Sequence, residues 1–174
     1  MAATVLLAHA SRYGSTEEVA EAVAATLRVN GLEVEVKPAR EVKTLEGYGS
    51  VVLGTALYMV HFHKDARRFL SRHERALRRR PVAFFAMGPF HDDEKEWQGV
   101  RGQIEKELAK YPWLAPVAQA AFGGKFDPAT LRFPFNLLPA LKKLPASDIR
   151  DWAAIRAWAE GLAAKLQPAS PSPA

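Results

Sequence analysis

The sequence contains no cysteine and no long apolar run. Without cysteine, the chain cannot form disulfides, use a thiol in catalysis, or hold iron–sulfur clusters or zinc through thiolates. No apolar stretch approaches the roughly 18 residues of a membrane-spanning helix, and the first residues lack the charged region of a signal peptide. We therefore expect a soluble or peripheral protein in a reducing cytoplasm.

The composition predicts one globular domain. Of the 174 residues, 48% are hydrophobic and 25% are charged, which supports a sizeable core and argues against disordered, collagen-like and coiled-coil chains. We expect this domain to span residues 1–167. Residues 168–174 are rich in Pro, Ala and Ser, and they predict a disordered tail.

Positive charge is concentrated in two segments. The net charge is +5, but residues 61–80 carry eight Lys and Arg against two acids, and residues 125–150 carry five against two. This distribution predicts a basic face whose natural partners are anionic: carboxylated small molecules, acidic proteins or phospholipid. We expect no nucleic acid partner, because no recognition module accompanies the charges. A solvated helix surface would produce the same charge pattern.

Hydrophobic periodicity alternates between strand and helix spacing along the chain. Apolar or alternating runs predict five strands, over residues 4–8, 33–37, 51–54, 81–87 and 116–122. Helical spacing lies between them, and the first helix is bounded by a Ser15–Glu18 capping box and by Asn30-Gly31. The pattern predicts an α/β, doubly wound domain with a five-stranded parallel sheet. Five strands favour the order 2-1-3-4-5 over the six-stranded dinucleotide-binding order, and ligands should bind at the carboxyl ends of the strands.

The loop after the first strand has the composition of an anion site. Directly before a helix it contains Ser11, Arg12, Tyr13, Gly14, Ser15 and Thr16. Backbone amides and hydroxyls at a helix N-terminus bind phosphate-like groups, and the glycine permits close backbone approach. The single glycine excludes the G-x-G-x-x-G fingerprint, and no Gly-Lys-Ser/Thr is present to make a Walker A loop. Simple helix capping would also explain Ser15 and Thr16.

The same loop resembles the Ser/Thr-x-Thr/Tyr-Gly-x-Thr phosphate loop of flavodoxins, which holds the phosphate of flavin mononucleotide (FMN). Residues 54–58, after the third predicted strand, and residues 87–91, after the fourth, resemble the flavodoxin loops that lie against the flavin ring. The resemblance implies a flavodoxin-like fold with FMN as cofactor. The cofactor site it implies contains Ser11, Arg12, Tyr13, Gly14, Ser15, Thr16, Thr55, Ala56, Leu57, Tyr58, Met87, Gly88, Pro89, Phe90 and His91. Ordinary packing at the sheet edge would equally explain Tyr58 and Phe90.

More specifically, the chain resembles the flavodoxin-like, quinone-dependent protoporphyrinogen oxidase (dehydrogenase) group. The matching segments are residues 10–16, residues 54–63 with the pair His61 and His63, residues 122–126 and residues 150–152. The resemblance implies an FMN-dependent oxidoreductase of heme biosynthesis that removes hydrogen from protoporphyrinogen IX and delivers electrons to a quinone. The alternative is a flavodoxin-like carrier that shuttles electrons between protein partners. Such carriers are usually acidic, whereas this chain is basic.

Three histidines are the titratable candidates near the ring. His61, His63 and His91 can change charge around neutral pH, so we regard them as candidate catalytic residues. The sequence itself demands no catalytic acid or base, because a flavin brings its own redox centre. We expect no metal site, because His61 and His63 are only two residues apart and no third ligand is evident.

A long segment, residues 125–147, follows the fifth predicted strand, and we call it the insertion. Its length exceeds what a compact sheet protein needs for a connection, and long loops of this kind are often functional. It combines the apolar group Phe133, Phe135, Leu137, Leu138 and Leu141 with the cations Arg132, Lys142 and Lys143. We expect these cations to serve substrate or acceptor access, since the pattern suits a quinone, a partner protein or the inner face of a membrane. A flap over the core and a homodimer interface are the alternatives.

Overall fold

Among the residues that the structure describes, five parallel strands form the central sheet in the order predicted from the sequence. The computed structural model describes residues 4–58, 61–133 and 135–167; the predicted disordered tail lies outside them. The strands are β1 (Thr4–Ala10), β2 (Val34–Pro38), β3 (Tyr48–Tyr58), β4 (His61–Phe62), β5 (Val82–Met87), β6 (Ala118–Phe122), β7 (Lys125–Phe126) and β8 (Ser147–Asp148). The parallel strands lie side by side as β2-β1-β3-β5-β6, which is the order 2-1-3-4-5 along the chain. The predicted α/β class and strand order are confirmed.

Helices cover both faces of this sheet. They are α1 (Ser15–Val29), α2 (Lys64–Leu77), α3 (Glu94–Leu108) and α5 (Trp152–Leu166), whereas the short α4 (Pro139–Lys142) lies in the insertion. Successive strand residues point to opposite faces, so Leu7 packs in one core with Val23 of α1, and Leu6 packs in the other with Phe69 of α2. Each fully buried leucine contributes roughly 1.5–3 kcal/mol relative to an exposed one. Because both faces are covered, the inner strands are mainly apolar, with a few buried polar residues such as His9, Ser50 and Thr55.

The strand β3 is longer than the sequence predicts. We expected residues 54–58 to form a loop, but β3 continues through them, so that prediction is wrong. Residues 54–56 pair with β1 or β5, and residues 57 and 58 pair with the antiparallel β4. Gly54 fits here because the Phe85 ring fills the space beside it: a Cβ at this position would lie 2.2 Å from Phe85 Cζ.

The helix α1 begins without a side-chain cap. Gly14 is the N-cap residue, with φ +83° and ψ −11°, and its carbonyl accepts a hydrogen bond from Glu18 N at 3.1 Å. The predicted capping box between Ser15 and Glu18 is therefore wrong, because Ser15 is already the first helical residue. The left-handed conformation of Gly14 disfavours any side chain with a Cβ. At the other end, α1 ends at Val29, immediately before the predicted Asn30-Gly31.

The insertion leaves the domain and returns to it through a two-stranded ribbon. β7 and β8 pair antiparallel, with Lys125 opposite Asp148 and Phe126 opposite Ser147. Between them lie 3₁₀ turns at Pro128–Thr130 and Phe135–Leu137, followed by α4. No helix in the described parts of the chain is long and apolar enough to cross a membrane.

Candidate functional site

Two buried hydroxyl groups have no hydrogen-bond partner among the described residues: Tyr13 OH in the loop before α1 and Thr16 Oγ1 in the first turn of α1. Thr16 is fully buried, at 0% exposure, in the first turn of the helix, where backbone amides also lack intrahelical partners. Leaving a buried hydroxyl unpaired costs about 1–3 kcal/mol, so such a group calls for a ligand. With the left-handed Gly14, this loop fits an anion at the positive end of the helix dipole.

An apolar cavity of about 270 Å³ opens beside the loop. It brings together all three predicted ligand segments, and its lining on this side is Tyr13, Ser15, Ala56, Leu57, Tyr58, Met87 and Phe90. The rings of Tyr13 and Tyr58 have centroids 6.4 Å apart. Tyr58 OH accepts a hydrogen bond from Arg12 N at 3.1 Å, which joins the end of β3 to the loop. Burial raises the pKa of Tyr58 to about 12, so its hydroxyl stays protonated at neutral pH.

The insertion forms the opposite wall of the apolar cavity. Its contribution consists of Lys125, Phe126, Asp127, Thr130, Leu131, Phe135 and Leu141, and the preceding Gly124 adjoins them. The base of the insertion lies close to the segment after β5: Gly124 N donates to Pro89 O at 2.7 Å, and the Phe126 and Phe90 rings have centroids 5.7 Å apart. A Cβ on Gly124 would lie 3.1 Å from Phe90 Cε1, so this approach favours glycine. The preceding Gly123 is close to the other end of the insertion, where a Cβ would lie 2.3 Å from Ile149 O.

Both the sequence and the fold are similar to those of known proteins. Residues 6–134 match the family model of the flavodoxin domain. The chain belongs to the flavodoxin-domain family. A curated relative is the protoporphyrinogen IX dehydrogenase [quinone] of Escherichia coli, which is 27% identical over 84 residues. That alignment covers 47% of this chain and 46% of the relative, so the chain spans about half the length of the curated relatives it matches.

Solved structures show the same flavodoxin fold. A variant of flavodoxin from Pseudomonas aeruginosa superposes with a TM-score of 0.61 at 16% identity, covering 94% of this chain and 98% of that one. A flavodoxin from Streptococcus pneumonia gives a TM-score of 0.58 at 17% identity, covering 94% and 97% of the two chains. A flavo di-iron protein variant from Thermotoga maritima gives 0.59 at 15% identity, with coverage of 95% of this chain but 36% of that protein.

The cofactor of this flavodoxin-domain protein is FMN, as the sequence resemblance implies. The residues present fit that molecule. An unpaired buried hydroxyl, the start of a helix and a left-handed glycine suit its phosphate, and the adjoining aromatic cavity suits a planar ring.

A second cavity, of about 780 Å³, shares Tyr58 and Phe135 with the apolar cavity. We call it the cationic cleft, because its lining includes Arg12, Arg40, Lys64, Arg67, Arg68 and Arg132. Ser11 and Arg12 of the predicted phosphate loop line this cleft, and so do His61 and His63. The guanidinium of Arg12 contacts Phe133 O and lies 5.3 Å from the Phe135 ring centroid, which joins the loop to the insertion.

The three candidate histidines have different surroundings. His63 is the N-cap of α2: its Nδ1 accepts from Asp65 N at 3.2 Å, which assigns the proton of the neutral ring to Nε2. Burial lowers the pKa of His63, so the ring is neutral at pH 7, and its centroid lies 5.5 Å from that of Tyr58. His61 Nδ1 contacts Glu107 Oε1 at 3.0 Å. The exposed His91 pairs through Nδ1 with Glu96 Oε1 at 2.8 Å and lines neither of the two cavities described here.

The remaining predicted site residues lie below or beside the cavities. Thr55 is buried, and its Oγ1 accepts from His63 N at 3.3 Å. Gly88 and Pro89 are buried, and Gly88 N donates to Phe122 O at 2.9 Å. Lys142 and Lys143 are exposed at the end of α4 and, unlike Arg132, are not part of the lining described for either cavity.

Glu107 is a buried residue that sequence reasoning missed. Its side chain is only 2% exposed, and it accepts hydrogen bonds from His61 Nδ1, Phe62 N and Lys110 Nζ. Burial opposes ionisation, but the bonds from Lys110, His61 and Phe62 outweigh it and lower the pKa of Glu107. The carboxylate therefore fixes β4, and with it one edge of the cationic cleft, to α3. No local signal distinguishes Glu107 from the other acidic residues of its helix.

Arg150 is the second such residue, although it belongs to one of the segments that carry the family resemblance. Its side chain is only 4% exposed and pairs with Asp148 at 2.7 Å and with Glu18. These contacts tie the end of the insertion to the first turn of α1. Its guanidinium also lies 4.8 Å from the Trp152 ring centroid.

Proposed function

We propose that this protein is an FMN-dependent oxidoreductase that transfers electrons from protoporphyrinogen IX to a quinone. Each cycle removes two hydrogen atoms from the porphyrinogen and adds two electrons and two protons to the quinone, so the atoms and charges balance. When bound, FMN supplies the two-electron redox centre that connects these two half-reactions. The similarity to the Escherichia coli dehydrogenase supports this choice of substrate and acceptor.

The observation that carries the proposal is the apolar wall that the insertion builds over the cofactor pocket. Phe126, Leu131, Phe135 and Leu141 face the segments that flavodoxins use for the flavin. Such a wall shields the reacting atoms from water and favours an apolar small molecule, such as a tetrapyrrole or a quinone ring. A protein carrier needs an open flavin edge for its partners, so this feature favours the enzyme.

In this proposal, residues of the chain bind the cofactor, orient the substrate and shield the reacting atoms from water. The amides of residues 13–16 and Thr16 Oγ1 bind the phosphate, while Tyr58 at the end of β3 and Phe90 in the segment after β5 contact the ring. The insertion excludes water from the apolar cavity. His63 holds a proton on Nε2 beside Tyr58, which suits it to donate a hydrogen bond to a substrate atom in the cationic cleft.

Anaerobic half-reactions test the proposal. The FMN-loaded protein is mixed with protoporphyrinogen IX while flavin absorbance is followed, and a menaquinone analogue is then added. We expect the absorbance to bleach with the porphyrinogen and to return with the quinone. Porphyrin fluorescence should rise only over repeated cycles in excess quinone, because one cycle removes two hydrogen atoms and the porphyrinogen must lose more than that to become the porphyrin. A reaction containing free FMN but no protein controls for spontaneous oxidation.

The electron-carrier alternative gives a different result in the same experiment. If protoporphyrinogen fails to bleach the flavin, but the chemically reduced protein passes electrons rapidly to a redox protein, the enzyme assignment is wrong. Absence of the second half-reaction alone would refute the quinone as acceptor and leave the porphyrinogen half-reaction standing.

A further inference from the structure

The cationic cleft concentrates positive charge from four separate parts of the chain. Arg12 comes from the loop before α1, Arg40 from the 3₁₀ turn after β2, and Arg132 from the insertion. The first turns of α2 supply Lys64, Arg67 and Arg68, whose spacing of three and four places them on neighbouring positions of one helix face. The carboxylate in the lining is Asp65, which lies 3.7 Å from His63 Nδ1.

Several of these cations have no ion-pair partner among the described residues. Arg40 has a long contact of 3.5 Å with Glu41, and Arg12 is engaged with the insertion backbone. Lys64, Arg67, Arg68 and Arg132, in contrast, make no salt bridge within residues 4–58, 61–133 and 135–167. Four cations that repel one another around one concavity raise the local concentration of anions.

The position of the cleft connects its charge to the flavin. Tyr58 and Phe135 belong to the linings of both the cationic cleft and the apolar cavity. A molecule with its charged groups in the cleft can therefore extend an apolar body past these two aromatic rings toward the cofactor. A broad docking surface for a protein or membrane would need no such continuity, so the geometry favours a small redox substrate.

We propose that the cationic cleft binds the carboxylates of the reduced substrate, while the part of the substrate that loses hydrogen lies in the apolar cavity. This inference rests on the proposed function. Protoporphyrinogen IX carries two propionate groups on an otherwise apolar macrocycle, which matches the charge and the polarity of the two cavities. Guanidinium groups such as those of Arg67 and Arg68 bind carboxylates through paired hydrogen bonds.

Binding of stable oxidised porphyrins to the FMN-loaded protein tests this site directly. The probes are protoporphyrin IX and its dimethyl ester, which lacks both negative charges, in the same mild detergent, with quenching of tryptophan fluorescence as the readout. We expect the diacid to bind at least about tenfold more tightly than the diester. The double variant Arg67→Gln/Arg68→Gln should lose about tenfold in affinity for the diacid, leave the diester unchanged and retain FMN.

A matched control comes from the same helix. Arg72→Gln/Arg75→Gln removes the same net charge from α2 at two exposed positions outside the lining of the cleft. This variant should bind both porphyrins like the parent. Equal loss in the two double variants would show a general charge effect, and equal binding of diacid and diester by the parent would show that carboxylates are not recognised; either result overturns the inference.

The test separates this inference from the proposed function. If the diacid is preferred through Arg67 and Arg68 but protoporphyrinogen does not bleach the flavin, the carboxylate site stands and the proposed reaction is wrong. Conversely, turnover that is insensitive to the cleft variant would support the reaction and refute the site. If the cleft variant loses binding only to anionic phospholipid vesicles, the cleft is a membrane contact and the inference fails.

Discussion

Replacing Thr16 with valine should stabilise the cofactor-free protein and weaken FMN binding at the same time. Thr16 is fully buried, and its Oγ1 has no hydrogen-bond partner among the described residues. Valine keeps the branched shape and removes only this hydroxyl. Since a buried unpaired hydroxyl costs about 1–3 kcal/mol, its removal should raise the free energy of unfolding by about 1 kcal/mol. In a chain of this size that corresponds to a rise in melting temperature of about 2–4 °C.

The effect on FMN has the opposite sign. A hydroxyl that donates to a phosphate makes a charge-assisted hydrogen bond, and its loss costs about 1–3 kcal/mol, which is roughly a 5- to 150-fold weaker Kd. Because ligand binding stabilises the folded state by mass action, the increase in melting temperature on adding FMN should be smaller for the variant. Urea unfolding of the apoprotein and titration of flavin fluorescence measure the two quantities separately.

Thr26→Val is the matched control for this experiment. Thr26 lies in the same helix, and its Oγ1 already donates to Ala22 O at 3.1 Å. The control should lose about 0.5 kcal/mol of stability and bind FMN like the parent protein. The reasoning fails if Thr16→Val destabilises the apoprotein while FMN affinity is unchanged, because Thr16 would then act in packing and not at the phosphate.

Three further predictions concern stability and are measured by urea unfolding. Gly123→Ala should lower the free energy of unfolding by about 1–3 kcal/mol, because the new Cβ would lie 2.3 Å from Ile149 O. Gly102→Ala, in open space on α3, should raise it by up to about 1 kcal/mol, and equal effects of the two substitutions would refute the steric argument. Glu107→Gln should lower the free energy of unfolding by about 1–3 kcal/mol at neutral pH. The difference between parent and variant should vanish as the pH falls below 4.5 and through the lowered pKa of Glu107 in the folded protein, because the parent carboxylate is then protonated; a difference that stays constant with pH would exclude an ionic role. Stability should also decline as the pH falls through 6.5, because burial lowers the pKa of three histidines and the unfolded chain therefore binds protons at a higher pH than the folded protein does. A free energy of unfolding that stays constant between about pH 7.5 and about pH 5.5 would contradict this. These histidines are His9, His63 and His73.

The fold could be predicted from the sequence because its signals are local. Short apolar runs separated by amphipathic helices specify buried parallel strands, and the number of strands then limits their order. The extension of β3 could not be predicted in this way. The resemblance to flavodoxins indicates a loop at residues 54–58. These residues form a strand because β1, β5 and β4 supply pairing partners from distant parts of the chain.

The same distinction applies to the candidate site. Gly14 and Thr16 could be identified because the loop, the glycine and the helix start are adjacent in sequence. Glu107 could not, because the groups that give it a role, His61 and Phe62, lie 46 and 45 residues away. Buried charges of this kind become visible only when the fold brings their partners to them.

The run of cations in residues 61–80 shows how the fold divides a charge pattern that the sequence presents as uniform. Arg80 donates to the carbonyls of Leu45 and Tyr48, at 2.6 and 2.8 Å, and Arg78 pairs with Glu74 at 2.6 Å. Arg80 therefore fixes the end of α2 to the start of β3, whereas Arg78 pairs with its own helix. Arg67 and Arg68, about one turn into the same helix, line the cationic cleft instead. Net charge predicted an anionic partner for the whole segment, but only the helix geometry indicates which of its cations can contact a substrate beside the flavin. For this reason, the decisive comparison is between variants that remove the same charge from different positions of one helix.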